Sequence, residues 1–320
     1  MRVAFGNLID LLSKAIRRMG LFLFVLVVLT DCNNADKAVN QSKESNVVSV
    51  FETELYELHL SENQKAILIL YPGAGTTSAD TKAEFDILEK AKKNNLSVLL
   101  MNFTNHLWIT EDDCQNLTEA LEGAFAKHEI DRENIYIGGM SVGGTVALSL
   151  SNYLLSNSSD LAPEGVFIVD SPIDLSALYE SARGDLLRED FSEERLSEPR
   201  FIVQTFQEEF GSGDSLPIRI AEFSPFIHNK GINNASSLSN TKLRFYTEPD
   251  SLWWRENRDT DYENTNSHVI QQISLQLDSA GWEQYRLIET EGKGYRANGD
   301  RHPHSWSIVD VDDLIEWITE

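Results

Sequence analysis

Between Lys65 and Pro72 the chain runs Ala66-Ile67-Leu68-Ile69-Leu70-Tyr71 without a strongly polar residue. A strand with one wet face alternates apolar and polar side chains, so an unbroken apolar run is buried on both faces. Such a strand needs helices above and below its sheet, and the neighbouring segments supply them. Residues 81–92 and 113–127 have helical spacing, whereas 97–103, 134–137 and 165–169 read as further short strands. This alternation predicts an α/β fold built on a doubly wound, mostly parallel sheet. Residues 47–60 alternate and are expected as one strand at the sheet edge. The rhythm breaks over residues 174–240, which are charged and irregular with a helical patch at 194–210. It resumes with a strand at 242–246, a helix at 267–278, a strand at 284–288 and a final helix at 308–318. An insertion of that length between sheet strands is expected to form a cap over the edge where ligands bind.

The domain is therefore expected over residues 47–320, with the cap at 174–240. Ahead of it, residues 1–31 read as a signal segment and 32–46 as a polar tether. Lys14, Arg17 and Arg18 precede an apolar run from Leu21 to Leu29, which suits export and is short for a membrane span. The run ends in Leu29-Thr30-Asp31-Cys32, which resembles a bacterial lipoprotein signal. That resemblance implies lipidation of Cys32, attachment to the membrane through the lipidated N-terminus and a place in the cell envelope. Asp31 departs from the pattern, which has Gly, Ala or Ser there. Cys114, the second of the 2 cysteines, lies among Glu111, Asp112 and Asp113, whose charge makes a thiol a poor nucleophile. A net charge of −24 argues against nucleic acid as a partner.

The chemistry is concentrated in Gly139-Met140-Ser141-Val142-Gly143. The apolar strand Ile135-Tyr136-Ile137 leads into it, and a helical stretch from Val142 leads out. A serine between strand and helix sits on a sharp turn, and the flanking glycines remove Cβ atoms that would collide there. The turn presents the hydroxyl at a helix N-terminus, where backbone N–H groups can hold an oxyanion. Alone, the same five residues also suit a packing turn or a phosphate cradle.

A serine hydroxyl is a weak nucleophile without a base, and the base needs an orienting group. The base is expected after the last strand, where Arg301-His302-Pro303-His304-Ser305 holds two of the 7 histidines. His304, ahead of the final helix, is preferred, with His302 as the alternative. The acid should follow a late strand. Asp250 follows the strand at 242–246 and is preferred; Asp170, after the strand at 165–169, is the alternative, with Glu248, Asp259 and Asp261 behind. Tyr71-Pro72-Gly73-Ala74-Gly75 follows the first buried strand. There the N–H of Ala74, or of Gly73, with that of Val142, would form an oxyanion hole.

In their order along the chain, the Tyr-Pro-Gly-Ala-Gly loop, the Gly-x-Ser-x-Gly turn, a post-strand Asp and a C-terminal His resemble the α/β-hydrolase superfamily over roughly residues 60–320. Pro72 stands where many members carry His. The resemblance implies Ser141 as nucleophile, Asp250 as acid, His304 as base, and Ala74 and Val142 as oxyanion donors. The expected activity is serine-dependent hydrolysis of a carboxylic ester, on a small-molecule or glycan-linked substrate. A serine peptidase and a non-catalytic binding lipoprotein are the alternatives. No cofactor is expected, and no metal, because His302-Pro303-His304 lacks a surrounding ligand set. Trp253-Trp254 reads equally as a pocket wall or as core.

Overall fold

In the computed structural model, which describes residues 46–103, 106–228 and 234–320, the apolar runs pair into one eight-stranded sheet. Its strands are β1 (Val48–Glu52), β2 (Tyr56–Ser61), β3 (Ala66–Tyr71), β4 (Leu96–Met101), β5 (Ile135–Met140), β6 (Gly165–Val169), β7 (Lys242–Thr247) and β8 (Tyr285–Glu289). They lie in the order β1-β2-β4-β3-β5-β6-β7-β8. β2 is antiparallel to both β1 and β4, and every other pairing is parallel.

The helices are α1 (Ser78–Glu84), α2 (Leu88–Lys93), α3 (Glu111–His128), α4 (Val142–Ser156) and α5 (Leu175–Asp185). They continue with α6 (Ser197–Phe210), α7 (Leu216–Ala221), α8 (Ser251–Arg258), α9 (Asn266–Ser279) and α10 (Val311–Thr319). Thr77 with Asp80, and Thr110 with Asp113, form capping boxes that fix where α1 and α3 begin. Each such cap contributes about 1 kcal/mol.

β3 shows why its sequence has to be apolar throughout. Ile67, Ile69 and Tyr71 join a core built with α3, α4 and α9. Ala66, Leu68 and Leu70 join a separate core on the opposite face, built with α2 and α10. β6 divides the same way, Val166 and Ile168 against Phe167 and Val169. Each fully buried branched side chain contributes about 1.5–3 kcal/mol.

Two expectations change. Residues 47–60 form a hairpin rather than one strand, because the Thr53 hydroxyl accepts the N–H groups of Leu55 and Tyr56 and turns the chain. Residues 81–92 are divided between α1 and α2. Phe85 interrupts them with an extended backbone and is buried, its ring stacked on Trp306 at 4.6 Å. Within 174–240, α5, α6 and α7 share an apolar cluster that also takes in Leu107 and Val142. The signal segment, Cys32 and all but the last residue of the tether lie outside the described residues. No helix among the described residues is long and apolar enough to cross a membrane.

The sheet order reverses at β3, whose neighbours are β4 on one side and β5 on the other. Loops leaving the carboxyl ends of β3 and β5 therefore flank a crevice, the usual ligand position in an open α/β sheet.

Candidate active site

Ser141 ends β5 and caps α4 with φ 54° and ψ −133°, a conformation that L-residues avoid. Backbone strain of this kind costs about 1–3 kcal/mol and persists only where the surroundings enforce it. They do so here. The Ser141 N–H donates to Val169 O at 2.9 Å, and the Gly144 N–H to Ser141 O at 2.9 Å. The flanking glycines permit close approach. A Cβ on Gly139 would lie 2.2 Å from the Gly143 carbonyl, and one on Gly143 would lie 2.4 Å from the carbonyl oxygens of Tyr71 and Pro72.

That packing brings the loop after β3 against the serine: a Cβ at Gly73 would stand 3.5 Å from Ser141 Cβ. The N–H groups of Gly73, Ala74 and Val142 donate to no acceptor among the described residues. The expected oxyanion donors thus share one crevice wall with Ser141.

The histidine partner is Asp170. His304 Nδ1 lies 2.7 Å from Asp170 Oδ2. The Asp170 carboxylate is buried, and its Oδ1 accepts from Thr247 Oγ1 at 2.9 Å and Ser267 Oγ at 3.3 Å. Asn266 Nδ2 donates to the Asp170 carbonyl at 2.8 Å. Asp170 follows Val169, the residue to which the Ser141 N–H is bonded, so β5 and β6 deliver Ser141 and Asp170 side by side. Among the described residues no hydrogen bond joins Ser141 Oγ to His304; in ligand-free sites this contact commonly tightens only when substrate binds.

Asp250, the preferred acid from sequence, is engaged elsewhere. Its Oδ1 accepts the Trp253 N–H at 3.0 Å, capping α8, and its Oδ2 pairs with Arg301 at 2.6 Å. Arg301 also pairs with Glu248 and donates to Gly294 O at 2.8 Å. Glu248 is buried, and its Oε2 takes Thr290 Oγ1 and the N–H groups of Lys293 and Gly294. Asp250, expected as the acid, and Glu248, a weaker candidate, thus organise the loop that carries His304. Thr247, Ser267 and Asn266 were not legible as site residues, because Thr, Ser and Asn carry no chemical signal of their own. Arg301 had one: it stands in the same short motif as both histidines.

No protein-family model matches the chain, and no curated protein matches it by sequence. Solved structures resemble it in fold. An esterase of the bacterial hormone-sensitive lipase family aligns at 14% identity and a TM-score of 0.52, over 86% of this chain and 84% of that one. Carboxyl esterase 2 of the mycorrhizal fungus Tuber melanosporum aligns at 14% identity and a TM-score of 0.50, covering 87% of each chain. An esterase of Pyrococcus furiosus aligns at 12% and 0.50, over 86% of this chain and 89% of that one. The chain has the α/β-hydrolase fold.

Within this α/β-hydrolase fold His302, the alternative base, is weakly basic. Its pKa is pushed down to about 3 by burial, with the charges of Arg296, His304 and Arg258 acting in the same direction. A ring that resists protonation is a weaker base than an ordinary imidazole. Trp253 packs against it, with ring centroids 4.7 Å apart, and Trp254 meets it edge-on at 5.9 Å. Cys114 is buried beneath the sheet. Burial, then Asp113 and Glu111, push its thiol up to about 12, which leaves it inert.

A second Asp–His pair has a different task. Asp174 Oδ2 lies 2.6 Å from His228 Nδ1 and also accepts the His228 backbone N–H at 2.9 Å. Its Oδ1 caps α5 through the N–H groups of Ser176 and Ala177. The pair ties the start of the 174–240 segment to a residue near its end.

Proposed function

We propose that this protein is a serine hydrolase that cleaves a carboxylic ester through an acyl-enzyme. The observation that carries the reading is the His304–Asp170 pair beside the strained Ser141 turn. Solved esterases with the same fold support it. In the proposed mechanism Ser141 Oγ attacks the ester carbonyl while His304 Nε2 takes the hydroxyl proton. Asp170 accepts from His304 Nδ1–H, fixing the tautomer and stabilising the imidazolium. The carbonyl oxygen gains negative charge and is held by the N–H of Val142 and that of Ala74 or Gly73; losing one such donor costs about 3 kcal/mol. Collapse breaks the bond to the alcohol, which leaves with the proton from His304. Water then attacks the acyl-enzyme with His304 again as base, releasing the acid and restoring Ser141.

The substrate in this reading is a small-molecule or glycan-linked ester, and the helices of 174–240 act as its cap. A fluorophosphonate probe is expected to label the wild type and not Ser141→Ala. A wild type that stays unlabelled overturns the reading. Turnover of 4-nitrophenyl esters with no cleavage of peptide anilides separates an esterase from a peptidase.

We also propose that the protein is exported and lipid-anchored through Cys32, on the strength of the basic segment, the apolar run and the cysteine that ends it. Cells fed an alkyne fatty acid should incorporate it into the wild type and not into Cys32→Ala. Equal incorporation in both, or none in either, rejects the anchor.

A further inference from the structure

The chain carries Asp+Glu 51 against Lys+Arg 27, and several of its arginines meet a carboxylate. Arg132, Arg188, Arg195 and Arg301 each pair with one. Arg258 and Arg296 make no ion pair among the described residues, although Arg296 is partly buried. Burial, and the charge of Arg258 close by, both work against the Arg296 guanidinium. Glu84 offsets them in part, and its Oε2 also accepts the Ala297 N–H at 2.9 Å.

The neighbour these two arginines share is His302. Its Nδ1 accepts the His304 N–H at 3.2 Å, which leaves the proton of the neutral ring on Nε2. Nε2 lies 3.4 Å from Arg258 Nη2; in the other tautomer it accepts from the guanidinium, and in this one both groups are donors. A negatively charged oxygen between them would accept from both. Trp253 forms an apolar wall beside this point, with the Arg258 guanidinium over its ring at 5.9 Å, and the buried Trp254 Nε1–H has no acceptor. The guanidiniums, the ring N–H and the indole N–H are all donors, and a carboxylate is the acceptor that matches them.

We propose that Arg258, Arg296 and the His302 Nε2–H bind a carboxylate carried by the substrate, so that the enzyme selects esters with a negative charge on the acyl or the alcohol side. This rests on the hydrolase reading above. The His302 and His304 rings are 6.2 Å apart, which sets the anion one side chain from the base. A net charge of −24 repels anions at long range. Two guanidiniums beside His302 oppose that repulsion locally.

Two matched substrate pairs test the site. Mono-4-nitrophenyl glutarate against 4-nitrophenyl valerate places the charge on the acyl side; 4-acetoxybenzoate against methyl 4-acetoxybenzoate places it on the leaving side. In one pair the wild type should favour the anion in kcat/KM, and Arg258→Gln or Arg296→Gln should cut that preference by about tenfold or more, mainly through KM. The ratio cancels any partial unfolding of a variant. No preference in either pair, or a preference that survives both substitutions, overturns the proposal. A turnover-free arm follows tryptophan fluorescence as glutarate is added to Ser141→Ala, with saturation expected there and lost when Arg258→Gln is combined with it. Failed fluorophosphonate labelling alongside Arg258-dependent glutarate binding would remove the hydrolase reading and leave the anion site. Labelling without charge selection would do the reverse.

Discussion

Asp170→Asn is expected to lower kcat on 4-nitrophenyl butyrate by about ten-thousand-fold with little change in KM. The carboxylate accepts from His304 Nδ1 at 2.7 Å, and nothing else among the described residues bonds that ring nitrogen. Asparagine fits the same buried space and tolerates the positive φ of 43° at this position, so the fold should survive. Its amide would turn an N–H toward Nδ1, favouring the tautomer with the proton on Nε2, where it blocks removal of the serine proton. Asp250→Asn breaks an ion pair in which the Asp250 side chain is 31% exposed. It should cost less than about tenfold, in keeping with the weak coupling of exposed pairs. Steady-state kinetics on both variants decide between the two acids, and a larger loss from Asp250→Asn would return the role to that residue.

The second large effect is expected from a single methyl group. In Gly143→Ala the new Cβ would stand 2.4 Å from the carbonyl oxygens of Tyr71 and Pro72, which are backbone atoms at the end of β3 and its loop. Backbone cannot swing aside like a side chain, so the loop bearing Gly73 and Ala74 must shift away from Ser141. Overpacking of this kind costs about 3 kcal/mol. The displaced oxyanion donors should lower kcat by about a hundredfold as well. Gly123→Ala is the control: it lies within α3 with nothing within 4 Å of the added Cβ, and should gain up to about 1 kcal/mol from helix propensity alone. Urea unfolding and kcat, measured on the same preparations, test both. A Gly143→Ala protein that keeps its stability and its rate would show that the loop yields freely.

The parallel sheet and the serine turn were legible because each is imposed by local chemistry. Only a strand buried on both faces tolerates Ala66–Tyr71, and only glycine fits at 139 and 143. Which carboxylate meets His304 was not legible. Asp170 and Asp250 both follow a strand directly, and strand-end position cannot distinguish them. What separates them is long-range: Thr247 and Ser267 reach Asp170 from β7 and α9, whereas Arg301 reaches Asp250 from the loop that carries the histidines. One local sign was present. Asp250-Ser251-Leu252-Trp253 has the form of a helix N-cap, and a carboxylate spent on a cap is less free to hold a histidine. The break between α1 and α2 was hidden for a related reason. Phe85 leaves the helix to stack on Trp306, more than two hundred positions along the chain, and helical spacing records nothing of such a partner.

The Asp174–His228 contact has an architectural consequence. Its two members are separated by 54 positions in sequence and joined at 2.6 Å, so the segment between them leaves and re-enters the domain almost at one point. Material hung from a closed gate of this kind can grow, shrink or be exchanged while β6 and β7 keep their register. The segment proposed as a cap is therefore tied to the scaffold at a single closed point.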